Sequence, residues 1–177
     1  MERKNNIAPV VLSQYDPTWV DEYGKEKDVI VNLIGNQIIL IEHIGSTSVP
    51  NMVAKPELDI LIGVENIANI SPLIPILENE GYLYYQRFEE FVPERRYFRK
   101  SQGIIPLVHI HIVESSSTFF KEHIVFRNEL RSDAELRARY ARLKYKLVED
   151  GGGDRMKYDK EDFMKTELNR LRKEGKL

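Results

Sequence analysis

The 177-residue chain contains no cysteine, which excludes disulfides, zinc–thiolate sites and cysteine nucleophiles within it. It also lacks any run of about 18 apolar residues, the length that a membrane-spanning helix requires. Neither sign of charge is in large excess, because 26 Lys and Arg against 28 Asp and Glu give a net charge of −2. This balance argues against general binding to nucleic acid or to anionic membranes. The first six residues have no apolar stretch typical of a secretory signal, so we expect a cytoplasmic protein.

The remaining composition is typical of a soluble globular domain. Hydrophobic residues make up 42% of the chain and charged residues 31%. A chain of this length can bury a core without covalent cross-links. We expect a single domain over residues 1–177, with a core at about 7–115 and a helical C-terminal part at about 116–177.

Apolar patterning predicts strands and helices in mixed order. A helix is predicted between Asp16 and the stop signal at Gly35, a second between Ser71 and Gly81, and helices throughout the region after Ser117. Strands are predicted at 38–44, 58–64, 82–88, 95–100 and 107–113, with an edge strand at 7–15. The predicted fold class is α+β, a mixed five- or six-stranded sheet with packed helices and a helical C-terminal third.

The most informative segment of the sequence runs from residue 42 to residue 61. A strand-like apolar run ends in the turn Gly45-Ser46, and a second apolar run begins with Glu57 and Asp59. Residues at positions i and i+2 of a strand project from the same face, so the two carboxylates should lie side by side. A Gly-Ser turn followed by a carboxylate-bearing strand is how one large class of proteins holds a nucleoside triphosphate and its magnesium. The segment therefore predicts a phosphate-handling protein.

The turn and its surroundings offer several contacts for phosphate. Gly45 has no side chain, so a phosphate oxygen can approach the backbone N–H groups there. Hydroxyls follow directly after it, and Lys55 adds a positive charge nearby. The candidate phosphate-binding residues are Gly45, Ser46, Thr47, Ser48, Lys55, Arg96 and Arg99.

A metal site is predicted beside the phosphates. Two adjacent carboxylates attract a hard cation such as Mg²⁺, which prefers oxygen ligands and bridges phosphates. His109 and His111 share one face of a later strand and would meet Asp59 if the two strands are neighbours. Because imidazole is a poor magnesium ligand, these histidines favour Mn²⁺ or a role beside the metal. The candidate catalytic residues are Asp59, His109 and His111, and the candidate metal ligands are Asp59, Glu57 and His111.

Each candidate also has a purely structural interpretation. A Gly-Ser pair ends many ordinary turns, Glu57 is equally consistent with a surface carboxylate, and His43 is expected to pack or hydrogen-bond. The segment 95–100 is equally consistent with a solvated edge strand. Asp59 is harder to explain in this way, because an apolar run surrounds it and an unpaired buried carboxylate is costly. Helix packing and solvated charge are the first interpretation for Tyr140, Lys144, Tyr158 and Lys160.

The segment 43–50, HIGSTSVP, followed by Ala54-Lys55-Pro56 and Asp59-Ile60, resembles the signature of the GrpB (glutamate-rich protein B) family. The resemblance extends over about residues 10 to 165, and its further matches are Tyr15-Asp16-Pro17, Trp19, His109-Ile110-His111-Ile112, the segment 126–131 and the segment 140–144.

The resemblance implies a nucleotidyltransferase-like fold, similar to the polymerase-beta superfamily, in which a Gly-Ser turn and an acidic strand form the active site. GrpB-like domains also occur fused to dephospho-CoA kinase, which implies a place in nucleotide or coenzyme metabolism. This sequence departs from the superfamily pattern twice. Glu57 stands where the first Asp of an Asp-x-Asp pair is usual, and His109 or His111 stands in place of a third carboxylate.

We therefore expect a metal-dependent nucleotidyltransferase-like enzyme whose partners are a nucleotide and a small-molecule acceptor, with Mg²⁺ or Mn²⁺ as cofactor. The alternative is a nucleotide- or anion-binding module without catalysis, which the shortage of carboxylates favours. A scaffold whose site has decayed is a third interpretation.

Overall fold

The computed structural model describes residues 11–103, 105–151 and 154–177. The edge strand predicted at 7–15 lies partly outside these residues. Its described part forms an isolated bridge between Ser13 and Ala54. Within the described part of the chain, no helix is both long enough and apolar enough to cross a bilayer.

Five strands form one mixed sheet. Their bounds are β1 Ile38–Ile44, β2 Leu58–Val64, β3 Leu83–Tyr84, β4 Arg96–Gln102 and β5 Ile105–Glu114. The order across the sheet is β1-β2-β5-β4-β3, in which β2 and β5 are parallel and the other neighbours are antiparallel. The predicted α+β class with a mixed sheet is confirmed. The strand predicted at 82–88 is shorter than expected, because a 3₁₀ helix at Gln86–Glu90 follows β3.

At three of the helix starts, a side chain accepts a hydrogen bond from a free N–H group of the first turn. Asp16 accepts a hydrogen bond from the Thr18 amide, and Ser117 accepts one from Phe120. The pattern at 132–135 predicts a cap, which Asp133 supplies by accepting from the Leu136 amide at 2.9 Å. The helices are α1 Thr18–Ile34, α2 Ile74–Asn79, α3 Thr118–Ser132, α4 Ala134–Glu149 and α5 Asp154–Lys173.

Helices cover both faces of the sheet. Side chains alternate along β5, so Ile110 and Ile112 lie in the main core with residues of α1 and α2, while His109 and His111 lie on the other face. On that second face Phe120 of α3 packs against Leu61. A third cluster joins α3, α4 and α5 to the chain just after Ser48, and its buried members are Val49, Met52, Phe126, Leu130, Leu136, Tyr140, Leu168 and Leu171. The helical C-terminal part is thus packed onto the face that carries Asp59.

Candidate active site

A glycine turn at the end of β1 brings the backbone against Asp59. Gly45 has φ +68°, in the left-handed region that favours glycine. The register of β1 and β2 pairs Ile44 with Asp59, so the turn lies beside the carboxylate. A Cβ atom at position 45 would lie 2.2 Å from Oδ2 of Asp59. Glycine is therefore required here for its backbone conformation and for the space that the carboxylate fills.

The three hydroxyls after Gly45 have different roles. Ser48 Oγ donates to the Gly45 carbonyl at 2.7 Å, and Thr47 Oγ1 donates to the Glu57 carbonyl at 3.1 Å. Thr47 also contacts His43 Nε2 at 3.0 Å. These bonds hold the turn in shape. The hydroxyl of Ser46 accepts a hydrogen bond from the Lys144 ammonium at 2.7 Å.

Asp59 meets both histidines of β5, as the spacing predicts for neighbouring strands. The parallel register pairs Asp59 with His109. Oδ1 of Asp59 lies 3.2 Å from His109 Nδ1 and 3.7 Å from His111 Nε2. Burial alone would raise the pKa of the Asp59 carboxyl, but the hydrogen bonds and charges of His109 and His111 outweigh it and hold that pKa well below its usual value. Asp59 is therefore ionised at neutral pH, with 30% of its side chain exposed.

His109 lies between two carboxylates. Its Nδ1 faces Asp59, whereas Nε2 is 3.8 Å from Oε2 of Glu57. Nε2 is buried and has no hydrogen-bond partner among the residues that the structure describes. Glu57 is in turn 3.4 Å from the Lys55 ammonium. A buried ring nitrogen without a partner is a position where a ligand can form a new contact.

A small cavity of about 70 Å³ lies beside Asp59, Glu57 and Lys55. Its walls come from the loop after β1, from β2 and from the C-terminal helices. The lining residues are Leu12, Ser46, Thr47, Lys55, Glu57, Asp59, Lys144 and Lys160.

Two lysines from the helical C-terminal part line the cavity, although the sequence predicted no site role for either of them. Lys144 of α4 is only 4% exposed, donates to Ser46 and to the carbonyl of Val53, and has its pKa lowered to about 7 by burial, with the charge of Lys160 adding to the effect. Burial also lowers the pKa of Lys160, against the attraction of Asp59. The interpretation of Lys144 as solvated charge is wrong. A signal was present, since Lys144 is four residues after Tyr140 and so falls on the apolar face of α4.

Neither of the two predicted arginines is among the residues that line the cavity, whereas Lys144 is. Arg96 pairs in register with Ile112, which places it on the opposite face of the sheet, and it forms an ion pair with Glu89 at 3.2 Å. Arg99 pairs with His109 and lies on the site face. The side chain of Tyr158 lies outside those that the structure describes.

Two further arginines on α3 stabilise the turn from outside the cavity. Arg127 donates to Glu42 at 2.6 Å and to the His43 carbonyl at 2.9 Å. Arg131 donates to the carbonyl of Ser48 through Nε and Nη2, at 3.0 and 2.8 Å. Both guanidinium groups are therefore engaged by the loop and by β1.

The carboxylates fit a metal that is shared with a phosphate ligand. Mg²⁺ is usually held by one or two carboxylates together with water and phosphate oxygens. Glu57 and Asp59 line the same cavity and would supply the carboxylates of such a site. Among the described residues no group of three or more His, Asp or Glu side chains is arranged to hold an ion by itself. The ring nitrogens of His111 face Asp59 and, at 3.4 Å, Arg95, which favours a position beside the metal.

Known proteins resemble this chain in sequence and in shape. YqkA of Bacillus subtilis is 35% identical over 139 residues, which cover 78% of this chain and 40% of YqkA. The chain thus spans less than half the length of that relative. The Cid1 poly(U) polymerase with MgGTP bound aligns over 73% of this chain and 41% of its own, at 12% identity and a TM-score of 0.47.

A solved structure of the conserved protein GrpB from Enterococcus faecalis is much closer. It aligns over 92% of this chain and 98% of its own, with a TM-score of 0.81 and 34% identity. The family described as GrpB protein matches residues 9–170, nearly the whole chain. The resemblance found in the sequence is confirmed, and the chain belongs to the GrpB family.

Proposed function

We propose that this chain binds a nucleotide at the Gly45 turn and transfers its nucleotidyl group to a small-molecule acceptor. The observation that carries the proposal is that an ionised Asp59 and the buried ammonium of Lys144 line one cavity beside the turn. At such a turn, an ammonium would attract the phosphates of a nucleotide, and a carboxylate would attract the divalent cation that accompanies them.

The lysines supply the phosphate contact. Neither Lys144 nor Lys160 forms an ion pair with a carboxylate among the described residues, although Lys144 is buried and Lys160 is half-buried. A buried ammonium without a counter-ion is costly, so an anion placed between the two would stabilise both. Ser46 Oγ lies against Lys144 and would contact the same phosphate. The cavity is far smaller than the roughly 300 Å³ or more of a pocket that encloses a whole ligand, so it suits phosphate groups with the nucleoside outside.

Asp59 and Glu57 would hold a divalent cation, which supplies electrostatic stabilisation of the phosphates when bound. The remaining chemistry belongs to His109. A proton on Nδ1 is fixed by Asp59, which leaves the lone pair on Nε2 to accept the proton of the acceptor hydroxyl. The acceptor oxygen then bonds to the α-phosphorus, the bond to the bridging oxygen breaks, and pyrophosphate leaves. Rotation of the Glu57 side chain would open Nε2 to the acceptor.

Calorimetry with ATP, GTP and CTP, with and without Mg²⁺ or Mn²⁺, tests binding, and a pyrophosphate assay tests transfer. We expect metal-enhanced binding and a loss of at least about 100-fold in turnover for Asp59→Asn, since it removes the group that orients the base. Asp21→Asn, an exposed change on α1, is the matched control. Full turnover in Asp59→Asn would overturn the assignment.

A nucleotide- or anion-binding module without catalysis is the second candidate. It is favoured by the contacts of Asp59 Oδ1, which both histidines occupy. Binding that needs no metal and releases no pyrophosphate would support this module against the enzyme. An absence of heat with every nucleotide would contradict both and leave the decayed scaffold.

A further inference from the structure

The guanidinium of Arg99 is held in place by aromatic rings. The central guanidinium carbon, Cζ, lies 5.1 Å from the ring centre of Tyr85, 5.3 Å from that of Tyr97 and 5.9 Å from that of Phe88. Its Nε donates to the Tyr97 hydroxyl at 2.9 Å. Cation–π contacts and one hydrogen bond thus fix the orientation of the group without neutralising its charge.

The two terminal nitrogens of Arg99 have no carboxylate or carbonyl partner among the described residues, in contrast to two other arginines of this chain. Arg127 is paired with Glu42 and Arg139 with Glu167. An arginine whose two Nη groups are oriented and free forms a fork that matches an oxyanion in two parallel hydrogen bonds. Binding of an oxyanion to Arg99 costs little conformational entropy, because the arginine side chain is already immobilised.

The position of Arg99 separates it from the phosphate turn. The registers pair Gly45's neighbour Ile44 with Asp59, Asp59 with His109, and His109 with Arg99, all on one face. With strands about 4.8 Å apart, the Cα atom of Arg99 is about 10 Å from that of Asp59, on the side away from the turn. His109 therefore lies between the nucleotide side and Arg99.

We propose that Arg99 is the anchor for the acceptor, a small hydroxyl compound that carries a carboxylate or a phosphate group. Its oxyanion binds the two Nη groups of Arg99, which directs the hydroxyl toward Nε2 of His109. This inference rests on the proposed function, and it reassigns Arg99 from the nucleotide phosphates, where the sequence placed it, to the second substrate.

Nuclear magnetic resonance of the arginine Nε–Hε groups tests the anchor directly, with sodium acetate and inorganic phosphate as the two probes. The Arg99 signal is the one missing from the spectrum of Arg99→Lys. We expect at least one probe to shift this signal in a saturable way, in the wild type and equally in Lys144→Met, which removes the cation of the turn. A response to acetate alone identifies a carboxylate as the acceptor's anion, and a response to phosphate alone identifies a phosphate.

Two variants test the anchor further. Because Arg99→Lys has no Arg99 signal, binding of the probe is followed through the chemical shift of the His109 backbone amide. Arg99→Lys keeps the charge but loses the fork, and we expect about tenfold weaker binding of the probe. Arg96→Lys, on the same strand but the opposite face, is the control and should change binding less than about twofold. Thermal unfolding of both variants checks that the fold is intact.

An Arg99 signal that neither probe moves would overturn the proposal, as would unchanged affinity in Arg99→Lys. Loss of the response in Lys144→Met would also overturn it, because Arg99 would then belong to the nucleotide site. These outcomes are distinct from failure of the proposed function, which would appear as absence of ATP binding while Arg99 still responds to the probes.

Discussion

The carboxylate of Asp59 fills the space where the side chain of residue 45 would stand, since Oδ2 lies 2.2 Å from the position of a Cβ atom on Gly45. The turn and the acidic strand are therefore not independent parts of the site. A change at either one must displace the other.

We expect Gly45→Ala to lower the free energy of unfolding by roughly 2 to 5 kcal/mol, because a left-handed backbone and an overlap with Asp59 add together. Gly81→Ala is the matched control, since Gly81 has φ +92° and nothing near its missing Cβ. It should cost about 1–2 kcal/mol. Urea unfolding measures both, and in an Asp59→Ala background the cost of Gly45→Ala should fall toward that of the control. An equal cost in both backgrounds would contradict the overlap.

Nucleotide affinity should weaken as pH rises above 7. Burial lowers the pKa of Lys144 to about 7, and only the protonated ammonium attracts phosphate. The dissociation constant for ATP should rise by up to about tenfold per pH unit between pH 7.5 and 9.5. Lys144→Met should bind more weakly with a flatter profile, whereas Lys146→Met, an exposed change on the same helix, should resemble the wild type. A wild-type profile in Lys144→Met would show that another group titrates.

Stability should fall as the pH drops from 7 to 5, in part through His43. Burial lowers its folded-state pKa to about 4, below the unfolded value near 6.5, so the unfolded chain takes up the proton first. The contribution of His43 is complete above about pH 6.5 and is lost toward pH 4. We expect His43→Gln to reduce the loss in free energy of unfolding between pH 7 and 5 by about 2 kcal/mol.

Denaturant titrations at the two pH values provide the measurement for His43. Burial also lowers the folded-state pKa of His123 to about 4. A double His43→Gln and His123→Gln variant should therefore reduce the loss in free energy of unfolding between pH 7 and 5 about twice as much. Equal pH dependence in the wild type and the double variant would refute the assignment.

Arg127 should be a stability residue and not a ligand contact. Its guanidinium bonds Glu42 and the His43 carbonyl, and hydrogen bonds to charged groups contribute about 1.5–3 kcal/mol each. We expect Arg127→Met to lose about 3 kcal/mol of unfolding free energy while the folded protein binds ATP within about twofold of the wild type. Arg142→Met, exposed on α4, serves as the control. A large loss of affinity without a loss of stability would place Arg127 in the binding site.

Local spacing predicted part of the candidate site. The two-residue period of a strand places His109 and His111 on one face, and an apolar run around Asp59 indicates that it is a buried carboxylate with partners. Contact between Asp59 and the two histidines also requires β2 and β5 to be neighbours in the sheet. The sequence alone did not predict that pairing. Strand pairing between distant segments depends on the whole fold and has no local pattern.

The contributions of the C-terminal helices could not be predicted in the same way. A lysine on a helix usually extends into solvent, and whether its ammonium is buried depends on which surface covers it. The spacing from Tyr140 places Lys144 on the apolar face of α4, but this spacing does not show that α4 packs beside the loop after Gly45, which is what buries the ammonium. The positions of Arg96 and Arg99 on their strand were also not predicted from the sequence. Their shared segment suggested one basic surface, yet the pleat separates them to opposite faces of the sheet.

The hydrogen bond between Ser46 and Lys144 joins positions 98 residues apart. The residues of the turn are therefore synthesised long before the lysine whose ammonium contacts them. Under the proposed function, a copy truncated before Lys144 would lack the cation of the cavity and should retain a nucleotide poorly.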